Sequence, residues 1–154
     1  IKEGSPLEIF TEKGGDIILR KYSPIGELSA FSAEYVESLS KVTNCIAIVT
    51  DRDSVIAVAG ASKKDLLEQR ISNDLEKILL DRKTFISDSN NIIQIIEKSD
   101  QIKLETSQVV VPIISASEVI GSVILIAKEN NKIEKTEQKI AEVAANFLGC
   151  QSEI

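Results

Sequence analysis

The sequence predicts an α+β domain in which terminal helices pack on one face of a central antiparallel sheet. Two long segments, at residues 27–42 and 134–150, repeat apolar residues every three or four positions, which is the spacing of an amphipathic helix. Short β-branched runs joined by polar turns lie between them, most clearly at residues 109–127, and such runs are typical of hairpins. Helices grouped at the ends of a chain around antiparallel strands indicate the α+β class.

The composition supports a globular domain. The chain has 154 residues, of which 43% are hydrophobic, and a chain of this length buries roughly 70% of its unfolded surface. No apolar run approaches the roughly 20 residues of a membrane span, and no secretory segment opens the chain. We therefore expect a cytoplasmic protein with no membrane partner. Cys45 and Cys150 each lie in an apolar segment, which predicts two buried free thiols.

A β-hairpin is predicted for residues 5–22, because apolar and polar residues alternate on both sides of a glycine turn at residues 13–16. A two-stranded hairpin is not stable alone in water, so it must pair with upstream residues or with another chain. The chain begins at Ile1 and contains no methionine. We therefore expect further residues upstream.

A helix is predicted to begin at Ser23-Pro24, since serine is a good N-cap and proline is favoured at the first helical position. Two buried strands follow at residues 45–50 and 55–59, joined by a polar loop at residues 51–54. Residues 62–65 have capping-box spacing and predict a helix that runs towards residue 70. The apolar stripe of the first helix consists of Leu28, Phe31, Tyr35, Leu39 and Val42.

A further helix is predicted from Ser72, after which residues 84–106 are the hardest part to interpret. Residues 87–91 are polar and predict a loop, whereas residues 92–96 are compatible with either a strand or a helix. A hairpin follows around residues 115–118, and Pro112 places its first strand at an edge or makes it bow. The C-terminal helix carries Ile133, Thr136, Ile140, Val143, Phe147 and Cys150.

The residue content argues against catalysis. The chain has no histidine, which excludes imidazole general acid–base chemistry, Ser-His triads and imidazole metal sites. Two distant cysteines do not form a CxxC zinc site, and neither phosphate-loop motif occurs. Asp51 and Asp53 could hold a hard cation, but two carboxylates in a turn are usually a solvated loop. We predict no catalytic residue, no metal and no cofactor.

The charge argues against strong nucleic-acid binding by this chain alone. The net charge is −6, and residues 1–22 balance four basic against four acidic side chains. DNA affinity comes largely from neutralising phosphates. The chain should therefore bind duplex DNA poorly.

Several segments resemble a known family. Residues 3–10, the glycine turn and residues 17–25 are similar to the second half of an AbrB-like swapped-hairpin domain. Residues 51–53, residues 59–65, and residues 112–114 through Ile120-Gly121 resemble the GAF-like domain of the stage V sporulation protein T family. The joining stretch Lys21-Tyr22-Ser23-Pro24-Ile25 is the most specific part of this resemblance, which covers essentially the whole chain.

The resemblance implies a sporulation-associated transcription regulator, an activator or a repressor. It divides the chain into half of a swapped-hairpin DNA-binding domain at residues 1–22 and a GAF-like regulatory or oligomerisation domain at residues 23–154. The family's DNA-gripping arginines would lie before Ile1, so no DNA-binding residue is assigned, and Arg20 and Lys21 match strand positions. The alternative is a stand-alone GAF sensor that binds a small molecule and acts through protein partners. The hairpin favours the regulator, because a lone sensor has no use for it.

Two surfaces follow from this interpretation. The terminal helices are predicted to form part of a dimer or tetramer contact through Leu28, Phe31, Tyr35, Leu39, Ile140, Val143 and Phe147. A small anionic ligand is predicted opposite them, because two lysines in a first helical turn are unfavourable unless an anion lies nearby; two solvated lysines are the more ordinary explanation. This candidate site consists of Ser62, Lys63, Lys64, Ser87, Asp88 and Ser89.

Overall fold

A computed structural model describes the backbone and side chains of residues 31–87, 91–97, 107–128 and 131–151, and the backbone of residues 7–11, 17–21 and 24–30. The elements are β1 (Leu7–Thr11), β2 (Ile17–Lys21), α1 (Pro24–Thr43), β3 (Ile46–Thr50), β4 (Val55–Ala59), α2 (Lys63–Leu66), α3 (Asn73–Asp81), β5 (Phe85–Ser87), β6 (Gln108–Ser115), β7 (Glu118–Ile126) and α4 (Lys135–Gln151). None of the described helices is long and apolar enough to cross a membrane.

The strands form two antiparallel sheets. β1 and β2 pair with each other, with Leu7 opposite Lys21, as the alternation predicts. The other strands form a five-stranded sheet in the order β4-β3-β7-β6-β5. Two residues, Ala116 and Ser117, join β6 to β7 with positive φ angles of 50° and 71°, which matches the right-handed twist of a tight hairpin. The predicted α+β class is confirmed.

The two faces of the five-stranded sheet bury separate apolar clusters, because successive strand residues point to opposite faces. Ala47, Val49, Val123 and Leu125 face α1 and α4 and pack on residues such as Leu148. The opposite face packs on α2, α3 and residues 91–97. Its cluster includes Ile48, Val110, Ile124 and Ile126 from the strands, and Leu66, Leu75, Leu79, Ile95 and Ile96 from the covering layer. Both terminal helices therefore lie on one face, as predicted.

The α2 helix is shorter than predicted: it ends at Leu66 instead of continuing towards residue 70. The chain after it adds backbone pairing to the edge of β4 instead. The N–H of Val55 donates to the carbonyl of Gln69, and the N–H of Glu68 donates to the carbonyl of Val55, at 2.9 Å and 2.8 Å. The helix ends because its C-cap, Leu67, has an extended backbone, and Glu68, with a positive φ of 67°, then redirects the chain.

Residues 84–106 also differ from the local pattern. Ser87 ends the short strand β5 rather than beginning a loop. Residues 92–96 form neither a helix nor a strand, and a single bridge joins Ile96 to Ile71. Pro112 lies two residues beyond Val110, where β5 stops pairing with β6. Among the described strands it therefore has only β7 beside it, in agreement with the edge prediction.

Candidate functional site

The outward side of the two terminal helices carries large apolar residues that the core does not use. We call the outer helix face the set Phe31, Tyr35, Val42, Ile140, Val143 and Phe147. Val42 is 73% exposed, Val143 is 64% exposed and Phe147 is 41% exposed. Scattered apolar residues are ordinary on protein surfaces, but a contiguous group on two packed helices marks an interaction site.

A shallow apolar groove of about 340 Å³ runs between the two helices. Tyr35 and Val42 from α1 line it, together with Ile140 and Val143 from α4. The rings of Tyr35 and Phe147 meet edge to face beside it, with centroids 5.3 Å apart at 67°, which is a favoured aromatic geometry. Burial raises the pKa of the Tyr35 hydroxyl above its ordinary value. The groove is therefore a preformed contact surface with little polar character.

The structure divides the residues predicted for the helix contact. Phe31, Tyr35, Ile140, Val143 and Phe147 all have exposed or half-buried side chains. Leu39 is buried in the cluster against the sheet, although it also lines the base of the groove. The side chain of Leu28 lies outside the described residues.

The residues predicted for an anion site are not brought together. Lys63 and Lys64 lie beyond β4 at one edge of the sheet, whereas Ser87 ends β5 at the other edge. Five strands spaced about 4.8 Å apart separate these edges by roughly 19 Å. Asp88 and Ser89 lie outside the described residues. Anion binding at the lysines stays a prediction, without Ser87 as a partner.

Ser62, Lys63 and Ser87 each have a partner within the chain. The hydroxyl of Ser62 accepts a long hydrogen bond of 3.4 Å from the Asp65 N–H, and Lys63 Nζ lies 3.4 Å from Glu37 Oε2. Both side chains of that ion pair are exposed, so it stabilises the fold little. Ser87 is buried and donates to Gln108 Oε1 at 3.1 Å. Ser87 is therefore structural in this arrangement.

In the acidic turn between β3 and β4, the carboxylate of Asp51 also has its hydrogen-bond partners within the chain. Asp51 Oδ1 accepts hydrogen bonds from the N–H groups of Asp53 and Ser54 at 2.7 Å and 2.8 Å. This is an Asx turn, in which the carboxylate replaces a backbone acceptor. Within the described parts of the chain, no three His, Cys, Asp or Glu side chains are grouped so that they could hold a metal ion.

The sequence profile of a family described as stage V sporulation protein T C-terminal, transcription factor, matches residues 27–153. The chain belongs to this family. Stage V sporulation protein T of Bacillus subtilis strain 168 is 39% identical over 153 residues, which are 99% of this chain and 84% of that protein. The predicted family resemblance is confirmed, and the chain is a relative of a sporulation transcription factor.

Solved structures with the same fold include several GAF domains. The GAF domain of an Acinetobacter phosphoenolpyruvate-protein phosphotransferase has a TM-score of 0.66 at 9% identity, over 84% of this chain and 87% of that one. The cofactor-binding GAF domain of the nutrient sensor CodY from Clostridium difficile has a TM-score of 0.59 at 17% identity, over 79% and 83%. At these identities the likeness establishes the GAF-like fold alone, which confirms that prediction.

Sequence reasoning missed Gln108, a buried polar residue on the sheet face opposite the terminal helices. Gln108 is fully buried, and its Oε1 accepts hydrogen bonds from Ser87 and from the N–H of Ile93. It thereby ties residues 91–97, which cover the apolar cluster of Ile95 and Ile96, to the sheet. The available signal was a glutamine at the start of an otherwise β-branched strand, since a buried amide needs partners.

Proposed function

We propose that this chain is the dimerising, non-enzymatic regulatory part of a DNA-binding sporulation regulator, and that two copies meet through the outer helix face. The observation that carries the proposal is the exposure of Val42 and Val143 beside the apolar groove of α1 and α4. A second copy would remove these side chains from water at about 25 cal/mol for each Å² of apolar surface buried.

The position of the hairpin supports the same arrangement. The hairpin β1–β2 ends at Lys21, and α1 begins at Pro24, so an association of two α1 helices would hold two hairpins close together. Closed dimers use the same patch on both subunits, and this suits a face formed by two helices of one chain. Dimerisation would then bring together the units that contact DNA, as the family resemblance implies.

The described part of the layer opposite the terminal helices favours dimerisation over ligand capture inside the fold. Leu66, Leu75, Leu79, Ile95 and Ile96 fill the space between that layer and the sheet. The nutrient sensor that shares the fold carries a GAF domain described as cofactor-binding. By contrast, the apolar filling here supports a domain that works mainly through its surface.

The oligomeric state tests the proposal directly. Light scattering of the 154-residue chain at micromolar concentrations should give twice the mass of one chain. Val143→Asp puts a charge into the contact, and since Val143 is 64% exposed, the fold should survive. The variant should shift to the monomeric mass, because an unpaired charge in an apolar contact costs several kcal/mol.

Leu80→Asp is the matched control, because Leu80 is 79% exposed on α3, away from the outer helix face. This variant should keep the mass of the wild-type chain. A wild-type chain that stays monomeric, or a Val143→Asp variant that dimerises as tightly as wild type, would refute dimerisation through this face.

A further inference from the structure

An open cleft of about 400 Å³ lies at the end of the sheet away from the outer helix face. We call it the turn cleft, since two β-turns and the end of α3 form it. Its volume falls in the range of small-ligand sites, roughly 300–1,000 Å³. The lining residues are Arg52, Asp53, Glu76, Leu79, Leu80, Arg82, Glu118 and Val119.

Local hydrogen bonds hold the walls of the turn cleft in place. The Asx turn of Asp51 fixes the backbone of Asp53. Arg82 ends α3 in the left-handed region, with φ of 60°, and its Nη2 donates to the carbonyl of Ser117 at 2.8 Å. The end of α3 is therefore tied to the β6–β7 turn, and the cleft is preorganised, which lowers the entropic cost of binding.

The floor of the turn cleft is apolar, and one of its residues, Leu80, has no role in the core. Leu79 is buried in the core and Val119 is half-buried, but Leu80 is 79% exposed. A helix residue that contributes nothing to the core does not need to be leucine. Its side chain offers a contact for an aliphatic group that enters the cleft.

The rim carries charges of both signs, and some of these charged groups form no ion pair. Two guanidinium groups, of Arg52 and Arg82, face three carboxylates, of Asp53, Glu76 and Glu118. In the parts of the chain that the structure describes, neither Arg52 nor Glu118 takes part in an ion pair or a side-chain hydrogen bond. Unpaired charges of opposite sign around an apolar floor match a ligand that carries both charges itself.

We infer that the turn cleft binds a short peptide with free termini and aliphatic side chains. The peptide carboxylate would accept hydrogen bonds from Arg52, whose planar guanidinium suits a carboxylate. The terminal ammonium would lie among the carboxylates, near Glu118, and the aliphatic side chains would pack on Leu80 and Val119. This inference deepens the proposed regulatory role by naming the class of signal.

Calorimetric titration of the 154-residue chain with the dipeptide Leu-Leu tests the inference. One molecule should bind per chain with a dissociation constant near or below about 1 mM, which corresponds to roughly 4 kcal/mol. N-acetyl-Leu-Leu-amide keeps both side chains but has no charge, and it should bind at least about tenfold more weakly, since each charge-assisted hydrogen bond is worth that much. Equal binding of the two peptides overturns the inference.

Two variants locate the binding. Arg52→Gln and Leu80→Ser should each weaken Leu-Leu binding about tenfold, through loss of a charged partner and of an apolar contact respectively. Both residues are exposed, so the fold should not change. Lys64→Gln and Ile86→Ser alter exposed residues outside both the turn cleft and the outer helix face and should leave the affinity unchanged.

Absence of saturable Leu-Leu binding up to about 10 mM, or equal affinity in all four variants, overturns the inference. The outer helix face is unchanged in Arg52→Gln and Leu80→Ser. A chain that dimerises but does not bind the dipeptide therefore contradicts only this inference, and a monomer that binds the dipeptide contradicts only the proposed dimer.

Discussion

Asp51 holds the turn between β3 and β4 through hydrogen bonds to two backbone N–H groups, of Asp53 and Ser54. Asp51→Ala should lower the free energy of unfolding by about 1–2 kcal/mol, because both donors lose their acceptor. Asp51→Asn keeps an acceptor oxygen and should recover most of this loss. Urea unfolding of both variants measures the difference.

The neighbouring aspartate provides the control for this prediction. Asp53 contributes its backbone N–H to the turn, and its side chain is exposed. Asp53→Ala should therefore change the free energy of unfolding by less than about 0.5 kcal/mol. If Asp53→Ala were as damaging as Asp51→Ala, the carboxylate of Asp51 would not be what holds the turn.

The two cysteines, Cys45 and Cys150, differ in solvent exposure, which their sequence surroundings do not reveal. Both were predicted to be buried, and Cys45 is, but Cys150 is exposed. A stripe of apolar residues every three or four positions does not say which members point inward. Leu39 points to the sheet while Val42, one turn later, is exposed; Phe147 and Cys150 follow the outward side of α4 in the same way. Which members of the stripe point inward depends on how each helix packs against the sheet.

Because Cys45 is buried, we expect the free energy of unfolding to fall at alkaline pH. Burial raises the pKa of its thiol above the ordinary value of 9.0, so the folded state favours the neutral thiol. This contribution is complete below the ordinary pKa and is lost as the pH rises above about 9. Urea unfolding at pH 8 and pH 10 should show a larger loss in wild type than in Cys45→Ser. An equal loss in both proteins would contradict the assignment.

At the scale of an element, Gly149 lets α4 approach the sheet closely. A Cβ atom at this position would lie 2.3 Å from the carbonyl oxygen of Ile114, which is backbone and cannot rotate away. Replacing a helical glycine with alanine normally stabilises a protein by roughly 0.5–1 kcal/mol. Gly149→Ala should instead destabilise it by roughly 1–3 kcal/mol, because the helix must move off the strand.

A second substitution on the same helix separates packing from helix propensity. Asn146 is exposed on α4, and Asn146→Ala should stabilise the chain by roughly 0.5 kcal/mol through propensity alone. Thermal unfolding of both variants compares the two effects. A gain in stability in Gly149→Ala would mean that α4 does not lie against Ile114 as the structure has it.

The elements that sequence predicted well are those in which local pattern and tertiary packing agree. The strands β6 and β7 and the helices α1, α3 and α4 have strong periodicity, and they form where it indicates. The α2 segment has helical spacing, but Glu68 and Gln69 instead pair their backbone with Val55 of β4. Residues 91–97 are held by Gln108, fifteen residues away from Ile93, and by backbone hydrogen bonds with Arg70 and Ser72. No local pattern contains such long-range pairings.

At the scale of the whole molecule, the sheet separates two surfaces of different character. The apolar outer helix face lies on one side, and the charged turn cleft is formed by α3 and two turns on the other. The sequence predicted the first, because helix periodicity reveals an amphipathic surface. It did not predict the second, because Arg52, Arg82 and Glu118 come together only when two turns and the end of α3 meet.

Charge over the whole molecule predicts its behaviour towards DNA. The net charge of the 154 residues is −6, and residues 1–22 are balanced, so this chain should bind duplex DNA weakly at physiological salt. Stage V sporulation protein T of Bacillus subtilis, of which the chain spans 84%, should bind specifically. Its affinity should fall roughly a thousandfold or more between about 50 mM and 200 mM salt, because each phosphate contact releases counterions.

An electrophoretic shift with both proteins on the same duplex, repeated across this salt range, measures the difference. The 154-residue chain should give no shift at concentrations where the Bacillus subtilis protein is saturated. Substituting Arg20 and Lys21 of the hairpin with glutamine should leave the weak binding of the chain unchanged, since these residues occupy strand positions in β2. Tight, salt-sensitive binding by the chain that disappears in this double variant would instead assign the DNA surface to the hairpin itself.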